Sequence, residues 1–400
     1  MFGSLLAWIF FLINPYANLS LNPIKPQQRL RPEYQESIPS NGPWEDIITG
    51  VYGVPPLLKI HDRRGRIKWT WERSDVTQAL PPSIERCLLS SANDATELKW
   101  MRNGTSIAAI YSDLVLTINY TPDNPATDKL ITWAVCRQNE FLWNAHTLEP
   151  LPGDRMAVGN TGQRKWDGIL VYDSNPDNPL VDDPPVLQNI TGLRAIHNMI
   201  WDETEQMLWA AGTDFAADGS DGVPAYGTLQ AYPYNATTGE LEKEDSLQYK
   251  LSATHDQKIE WGTKYTWWAG PHDLVPVPNQ RVFLMSEDHD IHAFDVDRRE
   301  FTEEGEAVVA KYLPGFETTS HNRHGYNGAG EWEELPRSDL KSFSVAPDGA
   351  YLYVQSLWRK YRGDHTNLVV NGHKNDINIG DEIYRSRWFA DIPGWPKPVT

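Results

Sequence analysis

The stretch PHDLVPVPNQRVFLMSED at residues 271–288 decides how this chain folds. A short apolar run comes first, a polar segment with proline, asparagine and glutamine follows, and a second apolar run ends the stretch. Two apolar runs separated by turn-forming residues are typical of antiparallel strands joined by a tight turn. The stretch therefore predicts a β-hairpin.

The same pattern recurs along the chain, as AHTLEPLPGDRMAVGNTG (145–162), IHNMIWDETEQMLWAAG (196–212) and LKSFSVAPDGAYLYVQS (340–356). Further strand-like runs follow these hairpins, and two similar units precede them, one ending near Cys136 and one beginning near residue 46. Units of four short antiparallel strands are the blades of a β-propeller. The sequence therefore predicts an all-β fold with a single propeller of six blades, whose first blade closes the ring with the C-terminus. The alternative is a propeller of seven blades, with the seventh in the irregular stretch 357–381.

The N-terminus predicts export. Residues 1–17 contain an apolar run from Leu5 to Ile13, which is too short to span a membrane but has the length of a signal-peptide core. Residues 18–43, rich in proline and polar residues, predict an extended arm, and residues 44–400 the propeller. Five glycosylation sequons support a secreted, extracellular glycoprotein, at Asn18, Asn103, Asn119, Asn189 and Asn235.

Composition limits the partners. A net charge of −18 argues against nucleic acid and against anionic membrane surfaces, because both attract basic proteins. We expect a monomer with no stable membrane insertion and with a carbohydrate or small-molecule ligand. The sequence has no phosphate loop or dinucleotide fingerprint, so no nucleotide or organic cofactor is predicted. Its two cysteines, Cys87 and Cys136, either pair in an oxidising compartment or are separately buried.

Alignment of the four hairpins reveals one column of chemically active residues. His146, His197, His272 and Lys341 occupy the same place at the start of each innermost strand. Innermost strands line the central channel of a propeller, so these side chains are predicted to meet at one mouth of a funnel, where ligand sites usually form. A histidine repeated at a fixed blade position also suits a structural hydrogen bond, but that role gives no reason for lysine in the fourth unit.

The loops expected at the same mouth are rich in basic and aromatic residues. Aromatic faces suit sugar rings, and arginine or lysine suits carboxylate or sulfate. The predicted substrate-binding residues are Arg164, Trp166, Tyr265, Trp268, Arg323, His324, Trp358 and Arg359.

Two mechanisms suit such a site. His146, His197 and His272 are candidate ligands of a divalent metal ion, with Asp273 or Asp290 assisting. Alternatively, one histidine removes a proton that a neighbouring carboxylate makes acidic, while Lys341 or an arginine neutralises the developing charge. In that second scheme Tyr326 or Tyr265 protonates the leaving oxygen, which amounts to β-elimination on a uronic acid.

The stretches HTLEPLPGDRMAV, HNMIWDETEQMLWAAG and HDLVPVP resemble a family of secreted, largely uncharacterised β-propeller proteins of bacteria and fungi. The resemblance covers most of the chain after about residue 45 and implies a six-bladed propeller and export. In fold and site chemistry alone, the funnel is also similar to propeller polysaccharide lyases, which act on uronic acids with histidine and tyrosine.

These observations predict a secreted carbohydrate-active enzyme, either a lyase or a metal-dependent enzyme, acting on a uronic-acid-containing glycan. A non-catalytic glycan-binding or adhesion propeller is the main alternative, and a small-molecule cyclase or isomerase is a third. A lectin propeller should repeat one sugar pocket in each blade, whereas here the unusual residues converge on one central place. That difference favours a single-site protein.

Overall fold

The computed structural model describes residues 44–137, 142, 144–161, 168–216, 221, 223, 225–251, 270–326, 331–358, 360–380 and 382–398. They belong to one compact unit, Pro39–Thr400. The predicted signal peptide and N-terminal arm lie outside them. In the described part of the chain, no helix has both the length and the apolar character needed to cross a bilayer.

Six antiparallel sheets form the six blades of a β-propeller, which confirms the predicted fold. From the innermost strand outward, the first blade consists of β27 (Glu382–Trp388), β1 (Asp46–Tyr52), β2 (Leu57–Asp62) and β3 (Ile67–Trp71). The second consists of β4 (Glu97–Met101), β5 (Ser106–Tyr111), β6 (Leu114–Asn119) and β7 (Ile131–Cys136). The third consists of β8 (Ala145–Leu151), β9 (Arg155–Asn160), β10 (Gly168–Asp173) and β11 (Val186–Thr191).

The fourth blade consists of β12 (Arg194–Asp202), β13 (Met207–Thr213), β14 (Gly227–Asn235), β15 (Glu240–Leu241) and β16 (Gln248–Lys250), of which the last two both pair with β14. The fifth consists of β17 (Asp273–Pro276), β18 (Val282–Ser286), β19 (Ile291–Asp295) and β20 (Glu300–Glu304). A small hairpin, β21 (His324–Tyr326) and β22 (Trp332–Glu334), precedes the sixth blade of β23 (Leu340–Val345), β24 (Tyr351–Gln355), β25 (Thr366–Val370) and β26 (His373–Ile377).

Among the described residues, the connections between strands contain two short α-helices, α1 (Pro82–Leu88) and α2 (Glu306–Tyr312), and three 3₁₀ turns (Arg73–Asp75, Arg102–Gly104 and Asp245–Leu247).

The two chain termini close the ring as predicted, because the C-terminal strand β27 pairs with β1. The stretch 357–381 does not supply a seventh blade. It contains β25 and β26, the two outer strands of the sixth blade. The sequence left this open because a long connection between β24 and β25 separates those strands from the hairpin to which they belong.

Tight turns set the register of the blade hairpins. Between β23 and β24 the segment Ala346–Pro347–Asp348–Gly349–Ala350 closes with hydrogen bonds between Ala346 and Ala350 and from Gly349 N–H to Ala346 O. Gly349 has φ 80°, a left-handed conformation that glycine adopts without steric cost. The proline, aspartate and glycine of this segment are all residues typical of tight turns.

Apolar side chains fill the space between each pair of adjacent blades. One cluster joins the first and second blades through Trp71 and Tyr111, and another joins the third and fourth through Trp201 and Tyr232. Corresponding clusters lie at the remaining four interfaces around the ring. Many of the tryptophans and tyrosines thus hold blades together.

Cys87 on α1 and Cys136 at the end of β7 form a disulfide, which decides the question that the sequence left open. It ties the connection between the first two blades to the outer edge of the second. Four of the five sequons fall within the described residues, and Asn103 and Asn189 are exposed there. Asn119 and Asn235 end β6 and β14, and Asn103 lies in the turn after β4, so all three lie opposite the histidine-bearing mouth.

Candidate functional site

The four aligned residues of the hairpins meet at one mouth of the channel. His146 and Lys341 are the second residues of β8 and β23, His197 lies near the start of β12, and His272 directly precedes β17. The ring centres of His146 and His197 are 4.8 Å apart, and those of His197 and His272 are 5.3 Å apart. His272 Nε2 lies 3.0 Å from Lys341 Nζ. Positions far apart in sequence thus form a continuous arc.

A backbone feature shared by four blades places this arc. The residue two positions before each member has a left-handed conformation, namely Asn144 (φ 59°), Ala195 (φ 48°), Gly270 (φ 82°) and Asp339 (φ 59°). Asparagine, glycine and aspartate tolerate this region well, whereas alanine is rarely found there. A strained alanine beside His197 indicates that the surrounding structure holds this turn in place.

The turn also fixes which nitrogens of two imidazoles carry hydrogen. His146 Nδ1 lies 3.0 Å from Asn144 O, and His197 Nδ1 lies 2.9 Å from Ala195 O. A carbonyl oxygen can only accept, so each Nδ1 donates and each neutral ring keeps its lone pair on Nε2. Burial lowers the pKa of His146 to about 3 and that of His197 well below its ordinary value. Both rings are therefore neutral proton acceptors at pH 7.

His272 and Lys341 lie in a buried cluster of opposite charges. His272 Nε2 is 2.6 Å from Asp288 Oδ1 and 3.3 Å from Asp339 Oδ1, and Lys341 pairs with Asp339. Burial and Lys341 oppose protonation of His272, but the two carboxylates outweigh them and raise its pKa. Burial likewise opposes the charge on Lys341, whereas Asp339 and Asp288 favour it, so the pKa of Lys341 is raised. The arc therefore has a neutral end and a charged end.

A tyrosine that the sequence did not single out joins the arc. The Tyr384 ring, on β27, lies 5.8 Å from the His146 ring and 5.8 Å from Lys341 Nζ, and 6.2 Å from the ring of Tyr52. Burial raises its pKa despite Lys341 and Arg385, so it remains a neutral phenol. The sequence would have pointed to Tyr384 if the C-terminal strand had been assigned as the innermost strand of the first blade.

The carboxylates beside His272 are also different from the expected ones. Asp273 is bonded to Arg385 and Arg387, and Asp290 to Arg337. The carboxylates that lie beside His272 are instead those of Asp288, in the β18–β19 loop, and Asp339, just before β23. Loop aspartates carry no periodic signal, so only the folded ring identifies them.

Among the described residues, His272, Asp288 and Asp339 form the group whose potential metal-ligand atoms all lie within 4.8 Å of one another. This group shares only His272 with the three imidazoles that the sequence suggested as ligands. The Lys341 ammonium lies against the same group, 3.0 Å from His272 Nε2 and paired with Asp339. The donor atoms suit a divalent cation, but a cationic side chain is already among them.

Below the arc, ion pairs fill the channel. Arg385 is fully buried and donates to Thr96 O (2.8 Å), Asp273 Oδ1 (2.7 Å), His197 O (2.6 Å) and His272 O (3.0 Å). In this layer four cations face three carboxylates: Lys99, Arg385, Arg387 and Lys397 against Glu97, Glu149 and Asp273. Burial alone would raise the pKa of Glu97, but Arg385, Arg387 and Lys99 lower it to about 2. The site is therefore a funnel with an ionic floor.

The predicted substrate-binding residues are only partly placed. Arg164, Trp166, Tyr265, Trp268 and Arg359 lie outside the described residues, as does the side chain of Tyr326 in β21. Arg323 is buried, donates to Ser338 and to Ser356 O, and lies 4.9 Å over the Trp358 ring. His324 is half-buried in β21. The roles of these residues in substrate binding remain predictions.

The fold and the arc define a class: a six-bladed β-propeller with one histidine- and lysine-lined site at a channel mouth. No protein-family model matches the chain. No curated protein matches it in sequence either.

Three similar solved structures illustrate how distant its neighbours are. A "putative 6-phosphogluconolactonase" of Bacteroides fragilis has 12% identity and a TM-score of 0.49, over 87% of this chain and 99% of that one. A functionally unknown protein of Desulfotomaculum acetoxidans has 9% identity and a TM-score of 0.44, over 85% and 98%. The β-propeller domain of Myceliophteria thermophila Cps50 (Swd1) has 12% identity and a TM-score of 0.42, over 88% and 83%. Similarity this distant carries no argument about function.

Proposed function

We propose that the chain is a secreted carbohydrate-active enzyme that cleaves a uronic-acid-containing glycan by β-elimination at the histidine arc. One observation carries the proposal. Neutral imidazoles, a lysine ammonium and a protonated tyrosine lie side by side at a single mouth. β-Elimination needs these three kinds of group: a base, a cation for the carboxylate and an acid for the leaving oxygen.

His146 is the candidate base. Its Nε2 keeps a lone pair because Nδ1 is bonded to Asn144, and the ring is partly exposed at the mouth. A low pKa by itself makes a weak base, but a substrate carboxylate at the mouth would raise the pKa of His146 because an opposite charge favours the imidazolium. The substrate would thus activate the base that acts on it.

The remaining groups complete a balanced reaction. His146 Nε2 takes the proton from the carbon next to the carboxylate, and Lys341 stabilises the negative charge that spreads onto the carboxylate. The bond from the next carbon to the glycosidic oxygen then breaks, a carbon–carbon double bond forms, and the leaving oxygen takes the proton of Tyr384. We give this acid role to Tyr384 because its ring lies close to both His146 and Lys341; the same role for Tyr326 or Tyr265 remains a prediction.

Exposed aromatic residues on the mouth-side connections favour a sugar ligand. Phe215, Trp332 and Tyr361 expose 40%, 54% and 53% of their surface. They lie in connections that either join the second and third strands of a blade or lead into an innermost strand. Such rings suit stacking against sugar faces. Glycosylation, export and a monomeric state remain predictions that accompany this proposal.

The test is a screen of uronic-acid glycans for the absorbance of the unsaturated product, with mass spectrometry of the fragments. We expect activity on at least one glycan, and loss of at least about 100-fold in kcat for His146→Ala, Lys341→Ala and Tyr384→Phe, since general acid–base groups contribute about 10²–10⁴-fold. His373→Ala, exposed on the outer strand β26, is the matched control and should keep wild-type activity.

Full turnover by folded His146→Ala would eliminate the assigned base. Tight glycan binding without any unsaturated product would instead favour the non-catalytic binding propeller. Isomerised or cyclised small molecules without glycan cleavage would favour the third possibility, a cyclase or isomerase.

A further inference from the structure

Four charged or ligating side chains at the mouth share one small volume. His272, Asp288, Asp339 and Lys341 expose 1%, 4%, 5% and 5% of their surface. The potential ligand atoms of the first three lie within 4.8 Å of one another. Lys341 Nζ is 3.0 Å from His272 Nε2 and bonded to Asp339 Oδ1. One imidazole nitrogen and two carboxylate oxygens are the donors that commonly hold manganese, cobalt or zinc.

We infer that the ammonium of Lys341 takes the place of a divalent cation in this centre, so the native protein works there without metal. The converse also holds: removal of the ammonium should convert His272, Asp288 and Asp339 into a divalent-metal site. The inference concerns which cation the centre holds, and it stands whether or not the protein is an enzyme.

The charge balance of this centre and the short distances within it both support the inference. Two buried carboxylates need a compensating cation, because uncompensated buried charge is costly. Lys341 supplies one positive charge directly against Asp339 and beside His272. A divalent ion bound to His272 Nε2 and Asp339 would lie close to that ammonium, and like charges at such distances in a buried site repel strongly. Lysine and metal are therefore alternatives.

The hairpin column provides an independent argument. Among the four aligned units, lysine replaces histidine only in the sixth blade, the blade adjacent to the one that carries His272 and Asp288. Asp339, the carboxylate bonded to this lysine, is also the left-handed residue two positions before it. One short segment of the sixth blade thus delivers both the cation and one of the carboxylates that it neutralises.

The experiment compares the wild-type chain with Lys341→Ala, both treated with a chelator, dialysed and titrated with Co²⁺ and Mn²⁺. The readouts are metal per chain by elemental analysis, affinity by calorimetry, the visible spectrum of bound Co²⁺, and the melting temperature with and without metal. We expect Lys341→Ala to bind one ion per chain, at least about 100-fold more tightly than wild type, with the cobalt spectrum of an imidazole-ligated site. Its melting temperature should rise with metal, while that of wild type should not.

Two further variants make the test specific. Asp288→Ala in the Lys341→Ala background removes one ligand and should weaken binding by at least about 10-fold, because loss of even an outer-shell partner costs about 10- to 100-fold. Lys99→Ala is the matched control: Lys99 is also a buried lysine paired with carboxylates, Glu149 and Glu97, but no imidazole belongs to that group. It should gain no cobalt spectrum.

A wild-type protein that holds one metal ion per chain and loses it on His272→Ala would overturn the inference. So would a Lys341→Ala protein that binds neither ion, whether it is purified folded or refolded in their presence. Because these measurements need no substrate, failure of the proposed glycan cleavage leaves their outcome unaffected.

Discussion

Replacing Arg385 with methionine would remove the central cation of the channel floor while keeping a side chain of similar length. Arg385 is fully buried and connects the C-terminal strand to three other innermost strands or their leading residues, through Thr96, Asp273, His197 and His272. The substitution therefore tests whether the ionic floor holds the blades together around the site.

The contacts of Arg385 set the size of the expected loss of stability. All three donor nitrogens of the guanidinium are used, and a hydrogen bond that a charged donor makes contributes about 1.5 kcal/mol per nitrogen at the low end of the usual range. The sum is about 4.5 kcal/mol, within the roughly 3–5 kcal/mol lost when one partner of a buried ion pair is removed. Asp273 remains paired with Arg387, which limits the damage. We expect the free energy of unfolding to fall by about 3–5 kcal/mol.

Urea titration followed by tryptophan fluorescence measures this loss, provided that the m-value is unchanged. Arg298→Met is the matched control. Arg298 pairs with Glu300 on the surface, and 67% and 50% of the two side chains are exposed, so a change within about 1 kcal/mol is expected. An Arg385→Met protein as stable as this control would refute the reasoning. It would show that the bonds of Arg385 contribute no more free energy than the burial of its charge costs.

Two other predictions follow from the same structure. Removal of the Cys87–Cys136 disulfide, which spans 49 residues, should lower the free energy of unfolding by about 4 kcal/mol through loop-closure entropy. Urea unfolding of wild type and of Cys87→Ala/Cys136→Ala measures this loss, and equal midpoints would contradict the prediction. Folding lowers the pKa of His146 and His197 below the ordinary value of 6.5, so below that pH the unfolded chain binds more protons and stability falls as pH drops. His197→Gln should flatten this acid loss by up to about 1.4 kcal/mol per pH unit, whereas an unchanged slope would show that His197 titrates normally.

Much of the fold was predictable because its signals are local. A strand–turn–strand unit such as 340–356 shows its apolar runs and its Pro–Asp–Gly turn within a few residues, and repetition of the unit indicates a propeller. The number of blades was harder to predict. The outer strands β25 and β26 follow a long connection, and no local pattern says which hairpin they extend.

The site was predictable to the extent that it repeats. His146, His197, His272 and Lys341 could be aligned because each occupies the same place in its unit. Asp339 shares its place before the innermost strand with Asn144, Ala195 and Gly270, so no residue type repeats there for an alignment to find. Asp288 lies in the β18–β19 loop and Tyr384 on the C-terminal strand, away from the aligned places. Asp273 was expected to assist a metal ion, but its partners are arginines of the last strand, more than a hundred residues away.

The sequence by itself therefore determined the propeller, the pairing of the two chain ends and the identity of the four residues that line one mouth. Local alternation and turn chemistry suffice for those, because they depend on neighbours along the chain. Only the tertiary structure decided how many blades there are, which nitrogen of each imidazole carries hydrogen and which carboxylates face Lys341. Burial and distant charges control these properties, and both exist only once the ring has closed.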